Sequence, residues 1–262
     1  MLEDLKPELT KLKLHYLENH LSEVLAKASK AKWDYQTFLT EVVRLEIEEI
    51  KRRSVESRLR SSRVNVCKWR PLVEFNWSWP KKIDREAIEA LFHLNFLEEP
   101  ANVVFIGPSS LGKTMIARNL VHQAVLSGHH AVFVEANDLL RELSDLDSAR
   151  MLHNRLKFYA KPKLLVIDEI GYLSFSQRAG DLLFQLISQR YEKCSTVITT
   201  NVNFKDWGTI FPNAACVSAL LERLLHRAEI IAIEGTSYRM KEADERKSKN
   251  PRNPKKGKDH ED

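Results

Sequence analysis

Eight consecutive residues, Gly107-Pro108-Ser109-Ser110-Leu111-Gly112-Lys113-Thr114, constrain this chain more than any other feature. They spell G-x-x-x-x-G-K-[ST] between an apolar run, Val103-Val104-Phe105-Ile106, and helix-forming residues from Met115 to Leu126. That context, a buried strand turning into a helix, is what the motif needs to work as a phosphate cradle. Glycine lets the backbone curl so that successive N–H groups converge on phosphate oxygens, and the positive end of the following helix adds to the field. Lys113 would reach the β- and γ-phosphates, and the Thr114 hydroxyl would ligate Mg²⁺. The alternative is a chance Gly-rich turn before a helix, but the chain holds only 8 glycines and two fall inside the motif, which favours a nucleotide site.

From Asn102 onward, apolar strand-like runs alternate with helical patterns. The runs Val103–Ile106, Ala131–Val134, Leu164–Ile167, Thr196–Thr199 and Ile230–Ile233 predict a five-stranded parallel sheet with helices on both faces. Upstream, Leu5, Leu9, Leu12, Tyr16, Leu17, Leu21 and Leu25 recur at helical steps. Asp34 is placed to cap a further helix carrying Phe38, Val42, Leu45 and Ile50. The organisation expected is a helical N-terminal domain over 1–66, a connector over 67–100, an α/β nucleotide-binding domain over 101–240 and a disordered tail over 241–262. In the connector, Phe75, Trp77, Trp79 and Pro80 suit two roles, a platform for a nucleotide base or a pin between domains, and the sequence does not choose between them.

The remainder of a reaction centre is spaced along the sheet. Leu164-Leu165-Val166-Ile167-Asp168-Glu169 is an apolar strand ending in two carboxylates, at the edge where α/β sheets bind ligands. Asp168 would hold the Mg²⁺ shell, and Glu169 would take a proton from an attacking water, which favours hydrolysis over phosphoryl transfer. Asn201 follows another strand, where it could orient that water or sense the γ-phosphate. Arg223 and Arg227 stand one helical turn apart and could be donated across a subunit boundary, while Arg239 follows the last strand and could reach the phosphates in cis.

Charge bears on the partner. The net charge is +5, and Lys51, Arg52, Arg53, Arg58, Arg60, Arg63, Lys68 and Arg70 cluster against Glu56 alone, as a polyphosphate backbone would attract. Arg52, Arg53, Arg58, Arg60 and Arg63 are the candidate DNA contacts. No apolar run approaches a membrane span, the start of the chain lacks a signal-peptide core, and Cys67, Cys194 and Cys216 form no metal-binding or disulfide pattern. A cytoplasmic protein is expected.

The order of these elements resembles that of the AAA+ ATPases, and within them the IstB/DnaC-like branch. Ile167-Asp168-Glu169-Ile170-Gly171-Tyr172-Leu173, Leu183 to Glu192, Asp206-Trp207-Gly208 and Leu220-Leu221-Glu222-Arg223-Leu224-Leu225-His226 are similar to IstB-type helper proteins of bacterial insertion sequences. The resemblance implies an AAA+ fold and an ATP-dependent regulator that self-assembles on double-stranded DNA and acts with its element's transposase. It implies a trans-acting finger at Arg223, with Arg227 as the alternative, and sensor roles for Asn201 and Arg239. It also implies DNA-contacting elements after the second strand, where Arg141, Arg150, Arg155 and Lys157 lie. Little sequence follows Arg239, so the usual helical lid is expected to be absent or minimal. The rival readings are a DnaC-type replicative helicase loader and a DNA architectural protein with negligible turnover.

Overall fold

The computed structural model describes residues 2–64, 69–171, 175–212, 214–238 and 240–241. Cys67, Lys68, Tyr172, Leu173, Arg239 and the expected tail beyond Lys241 lie outside them. The chain divides into two compact units, Met1–Ser61 and Ser62–Asp262.

The first unit is three helices, α1 (Leu2–Lys11), α2 (His15–Ala31) and α3 (Tyr35–Ser61). The leucine repeat that spans the first two is broken at Lys13, which takes φ 58°, a left-handed turn that ends α1. Lys32 ends α2 the same way, its N–H donating to Ala28 and Ser29 carbonyls. Asp34 caps α3 as the sequence predicts, its Oδ1 accepting from the Thr37 amide at 2.6 Å. Leu9, Leu17 and Val24 form the small core, with Phe38, Val42 and Leu45 of α3 packed on it. No side chain of α2's own N-terminus caps that helix. Glu46 of α3 does so from outside, its Oε1 accepting from the Leu17 amide at 2.7 Å.

In the second unit Ser62 is fully buried and its carbonyl accepts from the Phe133 amide at 2.8 Å. A 3₁₀ turn at Leu72–Glu74 and two short helices, α4 (Arg85–Leu91) and α5 (Asn95–Glu98), lead to the sheet. Its strands are β1 (Asn102–Ile106), β2 (Ala131–Glu135), β3 (Leu164–Ile170), β4 (Ser195–Thr200) and β5 (Ala228–Ala232), in the order β2-β3-β4-β1-β5 and parallel throughout. The five expected strands are present. The last starts two residues earlier than its apolar run, because Ala228 and Glu229 pair with Asn102 and Val103 whatever their polarity.

Between strands run α6 (Lys113–Leu126), α7 (Ala136–Ser144), α8 (Ala149–Ala160), α9 (Gln177–Arg190), the short α10 (Trp207–Ile210) and α11 (Ala214–Leu225). Val104, Leu165, Ile167 and Ile198 of the strands meet Leu139, Leu143, Leu186 and Trp207 of the helices in a dry core. A polar staple closes the amino-terminal edge of the sheet. Arg190 is 1% exposed and its guanidinium donates to the carbonyls of Tyr159, Ala160, Pro162 and Ser195 and to the Thr196 hydroxyl, at 2.5–3.0 Å. Burial pulls its pKa down to about 10, which still leaves it cationic at neutral pH. Among the described residues no helix is long and apolar enough to cross a membrane.

Candidate nucleotide site

The phosphate loop leaves the carboxyl end of β1, which lies between β4 and β5. Two of its glycines are required by close approach. A Cβ on Gly107 (φ 154°) would sit 2.0 Å from the Ile233 carbonyl oxygen, and one on Gly112 (φ 89°) would sit 2.3 Å from Cε2 of Phe75. Lys113 opens α6 and is 8% exposed, its Nζ donating to the carbonyls of Gly107 (2.6 Å) and Pro108 (2.7 Å). Burial lowers its pKa, and the charges of Asp168 and Glu169 act against that shift.

The carboxylate pair ends β3, two strands away. Asp168 is 1% exposed and accepts from the hydroxyls of Thr199 (2.5 Å) and Thr114 (3.1 Å). Burial dominates these bonds and raises its pKa to about 6. Immediately after it the pairing of β3 with β4 slips between Ile167 and Ile170, and Glu169 takes φ 63°. A non-glycine residue held there is strained, and such outliers concentrate at functional sites. The bulge turns Glu169 to line the cavity, and its amide donates to Thr199 Oγ1 at 2.9 Å. Thr199 thus joins Asp168 to Glu169, a role that sequence reasoning missed. The available signal was the polar residues Thr196, Thr199 and Thr200 within a central strand, since buried polar groups demand partners.

Gly112, Lys113, Thr114, Glu169 and Thr199 line one cavity of about 390 Å³. It is lined by Ser109 to Met115 of the loop and helix, by Glu169, Thr199 and Asn201, and by Phe75, Trp79, Pro80 and Tyr238. Asn201 follows β4 and lies so close to Gly171 (φ 116°) that a Cβ there would be 2.9 Å from its Oδ1. Arg118, unremarked in the sequence, also lines the cavity, with its guanidinium 4.7 Å from the centroid of Phe133. The hard oxygens of Thr114 and Asp168 suit Mg²⁺, which keeps most of its coordination for water and substrate phosphates.

Arg223 and Arg227 are not brought to this cavity. Arg223 is half-buried over the Phe184 ring at 4.8 Å and donates to the Ala219 carbonyl at 3.1 Å. The expected helical spacing of the two does not hold, because α11 ends at Leu225 and Arg227 lies exposed in the turn to β5. The carbonyl of Arg227 accepts from the Asn102 amide, which pulls the chain out of the helix and into the sheet. Asn102 begins β1 and the phosphate loop leaves its other end, so a whole strand separates them, roughly 15 Å. Arg239 lies outside the described residues; its neighbour Tyr238 donates its amide to the Ser110 carbonyl at 3.2 Å.

The basic candidates divide by partner. Arg52 is paired with Glu49 (2.7 Å) and Glu56 (2.5 Å) on its own helix, and Arg58 donates to Ser54 Oγ at 2.5 Å. Arg63 donates to the Tyr159 hydroxyl at 2.6 Å, reaches Glu142 at 3.4 Å and lies over Phe158 and Tyr159. Arg53 and Arg60 are exposed, and among the described residues no ion pair involves them. Further along, Arg141 pairs with Asp138, Arg155 with Glu142, while Arg150 and Lys157 are exposed.

Comparison with known proteins agrees with this geometry. A family model described as "IstB-like ATP binding protein" matches residues 7–246. The insertion sequence IS21 putative ATP-binding protein of Pseudomonas aeruginosa is 34% identical over 91% of this chain and 89% of its own length. The IS232 counterpart of Bacillus thuringiensis subsp. berliner is 35% identical over 92% and 95%. Among solved structures, DnaI superposes with a TM-score of 0.50 at 18% identity, covering 62% of this chain and 92% of that one. The replication initiator DnaA bound to AMPPCP and single-stranded DNA gives 0.50 at 15% identity, covering 67% and 56%. These last two show the fold alone, which this chain shares with DnaI and DnaA.

Proposed function

The chain belongs to the family of IstB-like ATP-binding proteins, and from that premise we propose that this ATPase assembles on duplex DNA and there stimulates or targets a partner transposase. Its relatives are insertion-sequence proteins by name, which supports the transposition setting. In the proposed reaction Lys113 and the loop amides hold the triphosphate. Thr114 and Asp168 would hold Mg²⁺, which would neutralise charge on the phosphates. Glu169 accepts a proton from the attacking water, and Asn201 orients that water. Thr199 fixes both carboxylates in register by bonding one side chain and the other's amide.

One observation carries the assembly. The phosphates and the arginines of the α11 end lie at opposite ends of β1, so no side-chain rotation brings Arg223 or Arg227 to this protomer's own cavity. A second copy is then needed to complete the charge on the γ-phosphate, with Arg223 as the finger and Arg227 as the alternative. Arg239 would act in cis. Hydrolysis then requires assembly, and ATP turnover sets how long an assembly stays on DNA.

The DNA contacts assigned to this reading are Arg53 and Arg60, exposed and without ion pairs among the described residues, with Arg52, Arg58 and Arg63 contributing only if they leave their present partners. The test is the mass of the Glu169→Gln protein in solution with ATP and duplex DNA, beside its rate of phosphate release. A large ATP-dependent species with little release is expected. A monomer under those conditions would sink the assembly reading. Adding the transposase encoded by the same element should then raise strand transfer only when ATP is present.

A further inference from the structure

The cavity is lined by the phosphate loop and by aromatic residues, of which Phe75 and Trp79 come from the connector, a segment with no covalent reason to sit over that loop. One of the contacts that hold it there is made by a buried side chain. Asn119 lies on α6 and is 6% exposed. Its Oδ1 accepts from the Leu72 amide at 3.1 Å, and its Nδ2 donates to the Arg70 carbonyl at 2.8 Å and to Met115 of its own helix at 2.8 Å. An amide that bonds the C=O of one residue and the N–H of the residue two further on does the work of a neighbouring strand, satisfying the connector edge where no strand runs.

From that clamp the geometry continues without slack to the cavity. The Glu74 amide bonds the Pro71 carbonyl at 3.0 Å and the Phe75 amide bonds that of Leu72 at 2.9 Å, closing the 3₁₀ turn. This sets the Phe75 ring against Gly112, at a distance that leaves no room for any side chain there. On the far side, Trp79 Nε1 donates to the Thr236 carbonyl at 3.0 Å, and the Trp79 and Tyr238 rings meet at 5.7 Å. The connector is therefore tied to α6 through Asn119 and to the segment after β5 through Trp79.

We propose that Asn119 is a positioning residue for the nucleotide. It holds the connector as the wall against which the base of ATP packs, and so sets affinity for the nucleoside part of the ligand independently of its phosphates. The proposal rests on reading the 390 Å³ cavity as the ATP site. Flat aromatic faces and a few fixed polar groups are what a base-binding surface requires. The alternative is that Asn119 only stiffens the phosphate-loop helix.

The two differ in what they do to a ligand without a base. In Asn119→Leu, of similar volume, the Leu72 amide and Arg70 carbonyl lose their partners, and the KM for ATP should rise on the order of ten-fold. kcat should stay within about two-fold, since nothing made only in the transition state is removed. Calorimetry with inorganic tripolyphosphate should show the same affinity as the unmodified protein. Phe75→Leu, on the connector surface, should give the same pattern and keeps the test open if Asn119→Leu does not fold. Parallel loss of ATP and tripolyphosphate would overturn the proposal in favour of helix stiffening. Unchanged ATP affinity in both variants would overturn it outright. Failure of the unmodified protein to bind ATP would instead remove the reading of the cavity itself.

Discussion

The two edges of the sheet each bury a charged side chain, and they treat it in opposite ways. At the amino-terminal edge Arg190 has five bonds to fixed carbonyls and a hydroxyl, drawn from α8, β4 and the loop before β3. At the carboxyl-terminal edge Asp168 has two hydroxyl donors, and burial still drives its pKa to about 6. The first charge is satisfied by the protein alone. The second is short of positive partners, with Lys113 turned toward its own loop carbonyls. A buried charge that the fold fully satisfies holds the fold together, whereas one left wanting marks where a ligand completes the electrostatics.

The sharpest way to break that distinction is to remove groups from the unsatisfied edge and look for loss of chemistry without loss of fold. Lys113→Ala should lower ATP turnover on the order of 10³-fold or more, since positioning and charge on the phosphates are most of this chemistry. Glu169→Gln should bind ATP but hydrolyse it roughly 10²–10⁴-fold more slowly. Phosphate release and nucleotide binding check both. Full activity in Lys113→Ala would remove the site from this cavity.

At the satisfied edge the expectation reverses. Arg190→Met leaves four carbonyls and a hydroxyl unpaired in the interior and should destabilise the fold by roughly 3–5 kcal/mol. Activity per folded molecule should be retained, because the staple lies at the far end of the strands from the cavity. A denaturation midpoint and an activity titrated against folded fraction check this together. A variant that stays fully stable would deny Arg190 the part given to it here.

A smaller effect tests whether Asp168 is held against its own stability. Its pKa is raised on folding, so the folded state binds its proton more tightly than the unfolded chain. Stability is therefore lost as pH rises from about 4 to about 6, and the loss persists above that range. Asp168→Asn should raise the stability of the nucleotide-free protein by about 1–3 kcal/mol at pH 8, with the gain shrinking as pH falls below about 6. It should abolish turnover at the same time. Thermal melts at pH 8 and pH 5 give the sign, and an equal gain at both would assign it to another cause.

How far the sequence shows this contrast depends on what each residue needs for its partner. The phosphate loop, the Asp168-Glu169 strand end and all five strands are legible because the motif and each apolar run are local. The bulge that turns Glu169 is not, since it exists only as a slip in register between β3 and β4. Arg190 and Asn119 read as ordinary helix residues until the carbonyls they meet are brought in from distant segments. The length of α3 is obscured for another reason. Leu39, Val43, Ile47 and Ile50 stay exposed while Phe38, Val42 and Leu45 pack inward, so no single apolar stripe marks its 27 residues.

The same contrast orders the basic cluster, where the smallest effect is expected. Composition alone treats Arg52, Arg53, Arg58, Arg60 and Arg63 as equivalent. In the structure Arg52 is held between Glu49 and Glu56, and Arg63 is fixed by Tyr159 and Glu142, so neither is free to neutralise a phosphate without breaking those contacts. Among the described residues no ion pair involves Arg53 or Arg60. If duplex DNA binds this segment, Arg53→Gln and Arg60→Gln should each flatten the dependence of log K on log salt by about 0.9. Arg52→Gln should change the slope little, because its charge is already met. Arg63→Gln should lower thermal stability instead, through lost bonds to Tyr159 and stacking on Phe158. Titrations of labelled duplex at several salt concentrations separate these outcomes. Equal slopes for Arg52→Gln and Arg53→Gln would show that the crowding of positive charge matters and the internal pairing does not.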